Sequence, residues 1–127
     1  MTFYADDLAM AMAQRDVARA CCAAAIRVAG YADIASELAA TTAGRADRVV
    51  LRDAYIAARN AARVSAIYAE KSLVASARAA IAAGRVSDIA VARAALDARD
   101  AAGRAATAAG RADIAARGIS ARAVQVQ

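Results

Sequence analysis

Ala75-Ser76-Ala77-Arg78-Ala79-Ala80-Ile81-Ala82-Ala83-Gly84-Arg85-Val86-Ser87-Asp88 shows how the whole chain is written: a run of alanine with sparse larger residues, then glycine, then aspartate. Alanine loses no side-chain entropy in a helix and arginine loses little, so such a run favours helix at nearly every position. Glycine can take the left-handed conformation that closes a helix, and an aspartate a few residues on can cap or charge-stabilise the start of the next. Gly30-Tyr31-Ala32-Asp33, Gly44-Arg45-Ala46-Asp47 and Gly110-Arg111-Ala112-Asp113 repeat the device with one residue fewer.

Taken as turns, these four sites predict an all-α chain, an antiparallel helical bundle of four or five alanine-rich helices. The segments are 3 to 29, 33 to 43, 47 to 83, 88 to 109 and a frayed 113 to 123. Residues 1–123 then form one domain and residues 124–127 a mobile tail. Gly44 is the site a helix would most readily bridge, at a cost of about 1 kcal/mol relative to alanine. Bridging it would fuse the second and third segments into one long central helix.

The larger apolar residues recur at helical spacing and predict the packed seams. Phe3, Met10, Val17 and Ala24 step by seven, flanked by Cys21 and Val28; Val49 and Ile56, then Ile67, Val74 and Ile81, do the same further on. Leu51, Tyr55 and Leu73 form a second stripe on that segment, and Val86, Ile89 and Leu96 a third seam on the next. Heptad spacing of this kind is what a helix face packed on a neighbour requires. Core material is nevertheless scarce. Forty-five of 127 residues are alanine, with one phenylalanine, five leucines and no tryptophan; a buried alanine methyl contributes about 0.8 kcal/mol against roughly 1.5–3 for leucine or isoleucine. Self-association, as a homo-oligomer, is one way to share a larger core.

Several chemistries are disfavoured. Histidine is absent, which removes the commonest general base and metal ligand. Cys21 and Cys22 are adjacent rather than spaced as a redox or zinc element. About 100° separates them on a helix, so Cys21 is expected to face the core and Cys22 its border. No catalytic residues, cofactor, metal or small-molecule substrate are expected. No stretch of about 18 residues is free of charge, so no membrane span is expected, and the first residues lack the basic start of a secretory signal. A cytoplasmic protein follows as the default.

What remains is binding. The formal net charge is +5, with sixteen arginines and one lysine. Arg45, Arg48, Arg52, Arg59 and Arg63 fall on one side of the third segment and are the candidate contacts to another protein. The expectation is a non-enzymatic protein-interaction module, an adaptor or inhibitor of a larger bacterial or phage machine, acting through helix surfaces. One alternative is a basic nucleic-acid-binding protein using Arg104, Arg111, Arg117 and Arg122, which recur every five to seven residues as a basic strip able to track phosphates. No aromatic residue accompanies them for base stacking. The other alternative is a structural homo-oligomeric subunit of an assembly.

Overall fold

The computed structural model describes the backbone of residues 2–41, 48–86 and 88–125 and the side chains of residues 5–40, 49–86 and 88–121. Three helices account for nearly all of it: α1 (Thr2–Thr41), α2 (Arg48–Arg85) and α3 (Ile89–Gln125). Each packs extensively on both others, so the fold is a three-helix bundle roughly 57 Å long at 1.5 Å rise per residue.

The count of three corrects the expected four or five. Gly30 lies inside α1 and Gly110 inside α3, with the helix continuing on both sides. The glycine penalty, about 1 kcal/mol each, is small beside the helical packing that an unbroken rod retains. The 33 to 43 segment thus belongs to the first helix, and since α1 and α2 run antiparallel, no rod fuses it to the third. Gly44 itself lies outside the described residues. Only the longer variant marks a turn among them, and there the aspartate acts as expected while Gly84 stays helical: α2 ends at Arg85, and the Asp88 carboxylate accepts a hydrogen bond from the Ala90 N–H at 2.8 Å, capping α3. At the other end α3 carries the backbone through Val124 and Gln125; the remainder of the proposed tail lies outside the described residues.

The interior is alanine. Along α1 the buried positions are Ala11, Ala18, Ala25, Ala32 and Ala39; along α3 they are Val91, Ala98, Ala105, Ala112 and Ile119, every one of them at most 1 % exposed. On α2 the same seven-residue column reads Leu51, Ala58, Ser65, Ser72 and Ala79. A seven-residue repeat held over this length keeps facing the partners only if the helices wind about each other in a left-handed supercoil. Small side chains let the three backbones come close, so dispersion contacts between backbones replace the missing bulk.

This is the reverse of the predicted seams. Met10 and Val17 are each 46 % exposed, Ile67 51 %, Val74 45 % and Ile81 58 %, each within one or two residues of a buried alanine or serine. Val49, Ile56, Leu73, Ile89 and Leu96 also lie outside, Val86 is half-buried, and of the second stripe only Leu51 is fully buried. A one-residue offset turns a helical side chain by about 100°. A bulky residue pointing into the axis midway along the bundle would hold all three helices apart; the larger members of the axial columns, Leu51, Val91 and Ile119, stand at their ends. Methyl-sized residues therefore take the inside, and the large ones are displaced outward.

Polar bonds set the register. Ser65 Oγ donates to the Ala25 carbonyl and Ser72 Oγ to the Ala18 carbonyl, both at 2.9 Å and both fully buried. A step of seven up α2 matches a step of seven down α1, which fixes the antiparallel alignment. At the end where α2 passes into α3, Arg85 Nη1 reaches the buried carboxylate of Asp7 at 3.4 Å. Between α1 and α3, Arg19 bonds Asp97 at 3.1 Å. The sequence spacing instead pairs Asp16 with Arg19 and Asp97 with Arg93; in the fold Asp16 takes Arg15, at 3.2 Å, and the other two meet across helices.

Candidate functional site

The displaced apolar residues are not scattered. Met10, Val17, Tyr31 and Leu38 occupy one seven-residue column of α1, with Ala24 between them, and no charged side chain interrupts it. Ile67, Val74 and Ile81 form a column on α2. Val17, Cys21, Ile67 and Val74 line one groove between the two helices, together with Gln14, Glu70, Lys71 and Arg78. The Ser72-to-Ala18 bond makes Val74 level with Val17; seven residues on, Ile81 comes level with Met10. Two parallel apolar stripes therefore border a single α1/α2 face. Its charged side chains, Glu70, Lys71 and Arg78, all stand on α2, and Lys71 is turned over the Tyr68 ring at 5.7 Å, where cation–π attraction holds it.

Gln14 stands in the same groove with its Oε1 atom buried and without a hydrogen-bond partner. Cys21 borders the groove as well. The cysteine orientation expected from the sequence is corrected here: Cys22 is the buried member, 4 % exposed, and Cys21 is half-buried. The reason is again the alanine column, since Ala18 and Ala25 point along the axis and Cys22, four residues after Ala18, falls beside them. Both thiols are free. Among the described residues no group of three His, Cys, Asp or Glu side chains is placed to hold a metal ion.

The arginines divide differently. Arg52, Arg59 and Arg63 share the side of α2 that turns toward α3; Arg45 and the side chains of Arg48 and Arg122 lie outside the described residues. Arg59 and Arg63 line a groove of about 660 Å³ between α2 and α3, with Tyr55, Ser120 and Arg117. Arg117 is paired there with Asp113 at 3.1 Å and Arg52 lies 4.0 Å from Asp53. Arg104 and Arg111 border the other flank of α3, in a groove shared with Asp33 and Ile26 of α1. The expected strip of Arg104, Arg111 and Arg117 is therefore split between two grooves, because steps of seven keep a face and the step of six from Arg111 to Arg117 leaves it.

No helix among the described residues is long and apolar enough to cross a membrane. No family model matches the chain, and no curated protein or solved structure matches it.

Proposed function

We propose that the chain is a non-enzymatic interaction module that works by presenting helix surfaces to protein, as an adaptor or inhibitor acting in the cytoplasm. The observation that carries this reading is the reversal of inside and outside. Among the described residues eighteen large hydrophobic side chains are exposed around a core of alanine, and monomeric proteins rarely leave large contiguous apolar patches to water. The α1/α2 face sets the exposed apolar side chains Val17, Ile67 and Val74 beside Glu70, Lys71 and Arg78 in one groove, a mixture of apolar and charged groups that a protein partner can cover. The test is crosslinked capture from the source cell, with and without nuclease, comparing the wild type with a Val17→Glu/Val74→Glu variant. A protein captured in both lysates by the wild type and lost with the variant is the expected result. Equal capture by both chains overturns the reading.

A nucleic-acid reading has one observation in its favour, the convergence of Arg59, Arg63 and Arg117 on the α2/α3 groove. Phosphate contacts strengthen as salt falls. A gel shift at low salt that is lost in Arg59→Gln/Arg63→Gln supports it, and no shift dismisses it.

A further inference from the structure

We infer that the groove between α2 and α3 is a docking site for an acidic helix of a partner protein, whose carboxylates pair with Arg59, Arg63 and Arg117. This surface is separate from the α1/α2 face and stands independently of it.

Charge selects the occupant. The groove holds three arginines and one acid, Asp113, whereas the α1/α2 groove holds Lys71 and Arg78 with Glu70, and the α1/α3 groove Arg104 and Arg111 with Asp33. Its excess is therefore two positive charges, against one in each of the others. Among the described residues the ion pairs on this flank are Arg117 with Asp113 and Arg52 with Asp53; neither Arg59 nor Arg63 enters one. Those two stand four residues apart on one wall of α2, where like charges repel. A carboxylate brought to each relieves that repulsion, and a guanidinium holds it by a forked pair of hydrogen bonds.

Shape makes the occupant a helix. Apart from Tyr55 the apolar lining is all alanine, including the buried Ala62 and Ala116, so a further backbone can come close and gain dispersion contacts. An extended segment laid there would leave amide groups unpaired, because the backbones of α2 and α3 are already bonded within their own helices. A helix brings its own bonds. From Tyr55 to Ala66 the α2 wall is about 17 Å long at 1.5 Å per residue, room for about three turns. Acidic residues four apart on such a helix recur at the interval that separates Arg59 from Arg63. A nucleic-acid backbone fits less well: its phosphates reach the arginine ends but leave the alanine floor uncovered. Arg104 and Arg111, which would extend a phosphate track, line the α1/α3 groove instead.

The experiment is fluorescence anisotropy of the full chain at physiological salt. Its probe is a labelled peptide of alanine and glutamine, about 20 residues long so as to be helical, with glutamates in i,i+4 pairs on one face. A second peptide of the same composition has its glutamates spread round the helix. The wild type is expected to bind one copy of the first peptide and to bind the second more weakly. Arg59→Gln/Arg63→Gln, at two exposed positions, is expected to bind about tenfold more weakly or worse, with an unchanged helical circular dichroism signal. Arg104→Gln/Arg111→Gln, which removes the same charge from the α1/α3 groove, and Val17→Gln/Val74→Gln are expected to bind as the wild type does. No binding, equal binding of the two peptides, or equal loss in the two arginine variants overturns the inference. So does a short DNA duplex that displaces the first peptide at a lower concentration than the unlabelled peptide itself. Any of these leaves the α1/α2 face to its own test, which turns on Val17 and Val74.

Discussion

The Ser65 hydroxyl donates to the carbonyl oxygen of Ala25, forty residues earlier in the chain, with no water-accessible surface on either residue. A serine differs from alanine by one oxygen, so in a core of methyl groups it adds direction at almost no cost in volume. With Ser72 on Ala18 it selects one alignment of α1 and α2 out of the several that a uniform alanine surface would accept. Ser65→Ala and Ser72→Ala should each lower stability by about 1 kcal/mol, the usual net worth of such a bond. The double variant should also melt less cooperatively in urea as neighbouring registers become accessible. An unchanged midpoint would show that the bonds do not choose the register.

The offset between core and surface is open to a one-residue comparison. Ala25 is fully buried and Ala24, beside it, is half-buried next to the outer stripe. Ala25→Leu should destabilise by about 1–3 kcal/mol or more through overpacking, whereas Ala24→Leu should be nearly neutral. Thermal melts of the two variants decide it, and equal losses would place the core elsewhere.

Glycine within α3 is a third test. A Cβ added at Gly103 or Gly110 meets nothing within 4 Å, so the helix carries the entropic penalty of glycine with no steric reason to keep it. Gly103→Ala and Gly110→Ala should each stabilise by about 0.5–1 kcal/mol, visible as a melting temperature raised by several degrees in the double variant.

The two thiols should separate kinetically. Cys21 should react with a thiol reagent in the native state, while Cys22 should react only as the bundle opens, so its rate should rise with urea as Cys21's does not. Mass mapping of the labelled site after brief exposure reads this directly, and equal labelling would contradict the burial of Cys22.

Helix, and the Gly84-to-Asp88 turn, were legible in the sequence; the core was not, because apolar size was the wrong guide to it. The residues that catch the eye, Ile67, Val74 and Ile81, share their column with Asp53 and Asn60 and have Glu70, Lys71 and Arg78 beside them. The column through Ser65 and Ser72, by contrast, carries no charge from Leu51 to Val86, nor do the columns on either side of it. Exclusion of charge, rather than bulk, marks the inside of a bundle this thin. Gly30 and Gly110 misled for a related reason: a glycine that can end a helix ends it only where the bundle has nothing further to pack. The level alignment of the two outer stripes could not be read before the serine bonds supplied a register.

The alanine core inverts the usual map of tolerance to mutation. In most small domains the bulky interior residues are the ones a lineage cannot exchange, and the small ones drift. Here Ala18, Ala25 and Ala105 occupy positions where any larger residue pushes three backbones apart, so the least chemically distinctive side chains are the most constrained. The isoleucines and valines outside are free of that constraint, and any conservation found among them would reflect a partner rather than the fold.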